Sequence, residues 1–287
     1  MGEFSAKWLE LREPVDHAAR SQTVLQALLD DMHQRHGAKL SGLKVLDLGC
    51  GSGSNLRALA PHLGQDQHWV LVDYDDALLA AAREALQAWA HEVSQVTAHG
   101  LVLGHGGLTI SVSFQRADLS TDLPALLSQR TDLVTASALF DLVSPAWVDQ
   151  FVAQLAAPLY AVLSFDGQMA WWPEHPSDET ITAAFSQHQQ QDKGFGNALG
   201  PSSGRYLSQA LQAQGFQVVS DKSPWQIDAL PSAFHDMLIE GIAAAARDMQ
   251  AASTEALAQW LESRRVAQRC IIGHDDLYAA RLTDRTL

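Results

Sequence analysis

Lys44-Val45-Leu46-Asp47-Leu48-Gly49-Cys50-Gly51-Ser52-Gly53-Ser54-Asn55 decides how the rest of this chain reads. Val45 to Leu48 predicts a short buried strand, Gly49, Gly51 and Gly53 a tight turn, and Asn55 to Leu63 the helix that the turn opens. Glycines admit positive φ and let a ligand approach the backbone with no Cβ in the way, and a helix start presents unpaired N–H groups. A strand-to-helix turn of this kind also occurs with no ligand, so its surroundings decide what it means.

Those surroundings include a second apolar run, Trp69 to Val72, which ends in Asp73-Tyr74-Asp75. A carboxylate at the end of the second strand of a βαβ unit accepts hydrogen bonds from both hydroxyls of a ribose. The first half of the chain therefore reads as a site for an adenosine-containing ligand. A dinucleotide site calls for G-x-G-x-x-G with the pyrophosphate over the helix N-terminus. Here Ser54 stands where that pattern has its third glycine, and Asp47 just before the loop would repel a pyrophosphate while helping to hold a cationic amino-acid group.

Leu46-Asp47-Leu48-Gly49-Cys50-Gly51-Ser52-Gly53 closely resembles the first motif of the class I S-adenosylmethionine-dependent methyltransferases. The resemblance continues in order through Phe114-Gln115-Arg116-Ala117-Asp118-Leu119 and Thr131-Asp132-Leu133-Val134-Thr135-Ala136-Ser137-Ala138. It implies an α/β fold: a seven-stranded Rossmann-like sheet, mostly parallel with an antiparallel last strand, and helices on both faces. It also implies S-adenosyl-L-methionine as cofactor and S-adenosyl-L-homocysteine as product. Carried over by position, Asp47, Gly49, Cys50, Gly51, Gly53 and Asn55 become the methionine and ribose loop and its support. Asp73 becomes the ribose anchor, Tyr74 an adenine neighbour, Asp118 with Leu119 the adenine end, and Ser137 with Ala138 the backbone beside the reactive methyl. The match spans roughly residues 40 to 222.

Composition agrees. The 287 residues are 47% apolar, enough for a large core, and the net charge of −14 argues against a nucleic-acid partner. Arg264-Arg265 with Arg269 is the nearest approach to a basic cluster and reads as a solvated helix face. The two cysteines, Cys50 and Cys270, form no disulfide or C-x-x-C pattern, and Cys50 reads as the small residue that the loop requires. Met1-Gly2-Glu3-Phe4 opens no signal-like segment, and no apolar run reaches the ~18 residues of a membrane span, so a cytoplasmic protein with no membrane partner is expected.

One domain, 1–287, is expected, with N-terminal cap helices over 1–40, a cofactor-binding core over 41–222 and a helical insertion with the final strand over 223–287. The cap reads as helices Ala6 to Leu11 and Val15 to His36, with Pro14 opening the second. After a glycine-rich hairpin within 92–116, a helix is expected from Pro145 to Ala156 and a fifth strand from Leu159 to Ser164. Asp166-Gly167 reads as a turn that returns Met169 to Trp172 as a short strand. Two alanine-rich helices, about 232–248 and 253–268, precede a seventh strand at about 270–280.

Methyl transfer needs alignment, and a base if the acceptor is a hydroxyl or amine. Asp141 and Asp166, past the ends of strands four and five, and His17 on the cap are the candidates, and Arg20 is placed to pair with the cofactor carboxylate. Asp192 to Pro201 reads as a lid because Phe195 is flanked by glycines, with Lys193 and Asn197 beside it. Phe140, Trp171-Trp172 and Trp225 would add an apolar wall for a small, partly flat acceptor. No residue set reads as a metal site. The competing readings are a non-catalytic sensor or structural protein that binds the same cofactor, and an NAD-dependent oxidoreductase.

Overall fold

The computed structural model describes residues 5–37, 40–228 and 232–282; the opening Met1 to Phe4, read above for a signal, lies outside them. Helices α1 (Ala6–Ala19) and α2 (Gln22–His36) precede β1 (Leu43–Leu48), α3 (Ser54–Leu59), β2 (Asp66–Asp73) and α4 (Asp76–Trp89). A meander of β3 (Glu92–Val96), β4 (Gly100–His105) and β5 (Leu108–Arg116) leads to α5 (Leu123–Leu127), β6 (Leu133–Ser137), α6 (Pro145–Gln154) and β7 (Leu159–Trp172). Then come α7 (Asp178–Gln189), α8 (Ser203–Ala213), β8 (Gln217–Lys222), β9 (Trp225–Ile227), α9 (Ala233–Asp248), α10 (Thr254–Arg265) and β10 (Arg269–Ala280).

The centre of the sheet is β1, buried at every residue except Lys44 and paired in parallel with β2 on one side and β6 on the other. A parallel strand covered on both faces is nearly all apolar, which is why Val45 to Leu48 is recognisable without its neighbours. The strands lie in the order β3-β4-β5-β2-β1-β6-β7-β10-β8, with β9 paired to β10. The expected seven-stranded arrangement is contained in it, β10 being antiparallel to both of its long neighbours. Among the described residues the sheet has ten strands because β3 and β4 extend one edge and β9 adds to β10. Gly106 and Gly107, at φ 58° and 85°, make the two-residue turn between β4 and β5 that only such backbones allow without strain.

Two expectations are corrected. Strand five does not stop at Ser164: β7 continues to Trp172, and Asp166-Gly167 is no hairpin turn. Phe165 pairs with His274 and Met169 with Ile272, so Asp166, Gly167 and Gln168 bulge opposite the single residue Gly273. Gly167 has φ 88°, and a Cβ there would stand 2.9 Å from Pro201 Cβ. An antiparallel partner is available along the whole strand, and this long-range ladder overrides the local turn signal. At the N-terminus, α1 runs through Pro14 and breaks instead at Arg20-Ser21. There Ser21 Oγ accepts from Val24 N at 3.2 Å and caps α2.

That break is tied into the sheet. The buried Asp276 carboxylate on β10 accepts from Ser21 N (2.9 Å), Leu163 N (2.8 Å) and Ser223 Oγ (2.5 Å). Val24, Leu28 and Met32 of α2 pack on one face of the sheet, and Phe140, Trp147, Phe151, Leu207 and Leu211 fill the other. A third cluster joins the far half of the β7–β10 ribbon to α9 and α10, around Trp171, Phe234, Ile239 and Trp260, with Trp8, Leu11 and Val15 of α1 against it.

Asp276→Ala would leave three buried donors without an acceptor and is expected to destabilise the fold by about 3 kcal/mol or more, with Asp276→Asn less damaging, as measured by urea denaturation.

Candidate functional site

The loop after β1 is held open from behind. Gly49, Gly51 and Gly53 take φ of 65°, 52° and 74°. Cys50 N donates to Val72 O at 2.9 Å and Gly53 N to Cys50 O at 2.9 Å. Gly51 N donates to Asp73 Oδ2 at 2.9 Å, so the acidic end of β2 braces the glycine loop directly. A Cβ on Gly51 would come within 3.0 Å of Leu9 Cδ1, because α1 crosses the loop. Burial pushes the Cys50 thiol far above its ordinary range, as befits a packing residue rather than a nucleophile.

Beside this loop lies a cavity of about 350 Å³, at the carboxyl ends of β1, β2, β5 and β6, where open α/β sheets bind their ligands. Its wall at one end is Gly49, Cys50, Gly51, Asn55, Asp73, Tyr74, Asp118 and Leu119. Ser137 and Ala138 continue it past the end of β6. Ala138 takes φ 52°, unusual for a residue with a Cβ, and its N–H bonds Val162 O at 2.9 Å. Across from them stand Leu9, Arg12 and Asp16 of α1, and His188, Lys193 and Phe195 at and after the end of α7.

Behind the loop is a buried polar chain. Asn55 Nδ2 donates to Asp47 Oδ1 (2.7 Å) and Thr135 Oγ1 (3.0 Å), while Arg20 Nη1 donates to Asn55 Oδ1 (2.8 Å). Asp47 is wholly buried, and its Oδ2 has no hydrogen-bond partner among the described residues. Burial pushes its carboxyl from the ordinary 3.8 up to about 7, against the Asn55 hydrogen bond and the Arg20 charge. Asp73 is raised as well by burial, opposed by the N–H groups of Asp75, Gly51 and Tyr74.

Several sequence candidates stand elsewhere. His17 and Arg20 do not line the cavity: His17, next to Asp16 on α1, has its Nε2 2.9 Å from Ser54 Oγ and a pKa lowered by burial, and Arg20 follows the end of the helix and bonds Asn55. Phe140 is buried against Trp147 and Phe151, with centroids at 6.2 and 5.4 Å, instead of forming an acceptor wall. Asp141 is buried as well, and burial pushes its carboxyl up to about 6, opposed by backbone N–H groups of Asp141 and Phe165 and by the Arg12 charge. Asp166 pairs with Lys222 at 2.9 Å across the β7 bulge. Trp172 ends β7 with the Arg269 guanidinium 5.0 Å from its ring, Trp171 and Trp225 are buried in the third cluster, and Asn197 bridges to Asp192. Among these only Lys193 and Phe195 line the cavity. The sequence reading missed Leu9, Arg12 and Asp16, although their spacing puts all three on one helix face. Arg12 Nε donates to Asp16 Oδ2 at 2.7 Å, and Trp225 Nε1 to Asp16 Oδ1 at 2.9 Å. No group of three or more potential metal-binding His, Cys, Asp or Glu side chains occurs among the described residues.

The raised Asp47 carboxyl favours its protonated form in the fold, so its stabilising contribution is complete below 3.8 and is lost as pH rises through about 7. Asp47→Asn is expected to remove that loss, gaining stability relative to the parent between about pH 5 and about pH 8 in urea denaturation.

Residues 45–161 match the family described as a methyltransferase domain. The fold is similar to the YcgJ protein from Bacillus subtilis, at 14% identity and a TM-score of 0.50, over 90% of this chain and 99% of that one. It is equally similar to a cyclopropane-fatty-acyl-phospholipid synthase-like protein from Lactobacillus casei, at 15% identity and a TM-score of 0.50, over 94% of this chain and all (100%) of that one. A comparison with curated proteins found no match.

Proposed function

We propose that this chain, whose residues 45–161 match a methyltransferase-domain family, is a class I S-adenosylmethionine-dependent methyltransferase that transfers a methyl group to an oxygen or nitrogen of a small-molecule acceptor. The observation that carries this reading is the bond from Gly51 N to Asp73, which joins the glycine loop and the acidic strand end into one wall of the cavity.

In this reading Gly49 to Gly53 lie along the methionine and ribose of S-adenosylmethionine, and Asp73 keeps lone pairs for the ribose hydroxyls. Tyr74 and Asp118 take the adenine. The Asp47 carboxylate, backed by Asn55 and Arg20, attracts the cofactor's ammonium through the loop, and that ammonium in turn favours the ionised acid. Ser137 and Ala138 border the methyl. The acceptor lone pair attacks the methyl carbon in line with sulfur; the carbon–sulfur bond breaks, its electron pair stays on sulfur, and the acceptor's proton leaves to solvent. The product is S-adenosylhomocysteine. Alignment carries the step in this reading; His17, Asp141 and Asp166 stand outside the cavity lining, and the imidazole that does border the cavity is that of His188.

A second reading is a protein that binds the cofactor without transferring its methyl group. Cofactor binding with no methylated product across a broad acceptor panel would select it. The net charge of −14 supports a small molecule over nucleic acid as partner, and the free, buried Cys50 and Cys270 suit a reducing compartment such as the cytoplasm. No helix among the described residues is long and apolar enough to cross a membrane.

Calorimetric titration with S-adenosylhomocysteine is expected to show saturable binding that NAD does not reproduce. Asp73→Ala should weaken it by roughly 10- to 100-fold, the worth of a hydrogen bond to a charged group. Unchanged affinity in a folded variant would remove Asp73 from the site.

A further inference from the structure

Lys193 stands on the cavity wall in a segment of set shape. Asp192 Oδ1 accepts from Gly194 N (2.6 Å) and Gly196 N (3.0 Å), Asp192 bridges to Asn197, and Phe195 seats its ring 5.8 Å from that of Trp147, edge to face. The lysine ammonium donates to His188 O at 3.1 Å, and no acidic side chain pairs with it among the described residues. Burial therefore pushes its pKa down with nothing to oppose it. The acids that face the same cavity are occupied elsewhere. Asp16 is held by Arg12 and Trp225, Asp73 by Gly51 and Asp75, and Asp118 Oδ1 by Ser120 N at 2.8 Å.

In a chain with 33 acidic side chains against 19 lysines and arginines, a half-buried cation without a carboxylate is not explained by a shortage of acids. A desolvated ammonium of this kind is a receptor for an anion that arrives with a ligand. Resting on the methyltransferase reading, we infer that the acceptor bears an anionic oxygen group, a carboxylate or a phosphate, which pairs with Lys193 while its apolar body lies against Phe195 and Leu142. The anion is the handle and not the methylated atom, since pairing with an ammonium draws electron density from the oxygen it holds. Methyl transfer goes to a second oxygen or nitrogen of the same molecule.

The test uses the full chain saturated with S-adenosylhomocysteine and four probes, benzoate, phenyl phosphate, benzamide and benzyl alcohol, titrated by ligand-observed NMR. At least one anion is expected to bind about tenfold or more tightly than both neutral probes, as a charge-assisted hydrogen bond requires. Which anion it is separates carboxylate from phosphate. Lys193→Met should abolish the preference, Lys193→Arg should keep it, and both should bind S-adenosylhomocysteine as the parent does, which also reports an intact fold. Equal binding of anionic and neutral probes overturns the inference, as does a preference that survives Lys193→Met. Weaker S-adenosylhomocysteine binding by a folded Lys193→Met overturns it too, by giving the lysine to the cofactor carboxylate. Failure of S-adenosylhomocysteine to bind the parent overturns the methyltransferase reading itself.

Discussion

The buried carboxylate of Asp276 is the constraint on which the arrangement depends. It gathers the N–H of Ser21, the N–H of Leu163 and the hydroxyl of Ser223, three groups from distant parts of the chain, onto one point of β10. A carboxylate taken out of water is costly unless its lone pairs are occupied, and burial raises its pKa even with these donors in place. Satisfying it fixes where α1 ends, where α2 begins and how β7 runs past β10. From the break at Ser21, α1 is directed back over the glycine loop, so Leu9 meets Gly51 while Arg12 and Asp16 face the cavity. The roof of the site is thus a consequence of an acid on the final strand.

The far half of the β7–β10 ribbon serves the same end. Because β7 does not turn at Asp166-Gly167, it carries Trp171 out to α9 and α10, and their shared core gives the other side of α1 a surface to pack on. Trp225 belongs to both: its ring packs on Phe234 at 5.4 Å, and its indole N–H bonds the Asp16 carboxylate that neutralises Arg12. The C-terminal segment that begins at Trp225, remote in sequence from the glycine loop, thereby stabilises an ion pair on the cavity wall. The electrostatics are layered in the same manner. Arg20 and Asn55 sit behind the loop around a fully buried acid, whereas Lys193 faces the open cavity without one.

Much of this was readable in advance, and the parts that were share a property. The strand, turn and helix from Lys44 onward, and Asp73 at the end of the next strand, are stated by contiguous residues: an apolar run for burial on both faces, glycines for positive φ, an acid where the strand stops. The insertion of two helices before the last strand was also legible from alanine-rich amphipathic stretches and the β-prone segment after them. The outlying candidates stand away from the cavity lining for a physical reason as well. Phe140 and Asp141 follow β6 closely enough to be at its carboxyl end, but Phe140 joins the aromatic cluster of Trp147 and Phe151, and the Asp141 carboxyl is buried near Arg12 and the Phe165 backbone. Asp166 has the local signature of a turn, yet a continuous antiparallel partner and the Lys222 ion pair make it part of a bulge.

By itself, then, the sequence determined the strands, turn and helix around the glycine loop, because each of these elements follows from backbone periodicity and conformational preference within a dozen residues. The tertiary structure decided the other half. Which face of α1 roofs the cavity depends on a hydrogen bond between residues 255 positions apart, Ser21 and Asp276, and no local pattern encodes that rotation. Whether β7 turns or continues depends on a ladder with β10, and whether Lys193 meets an acid depends on how several separate segments converge. These are long-range choices, made by burial and by the need to satisfy buried polar groups, and they settle only when the whole chain has packed.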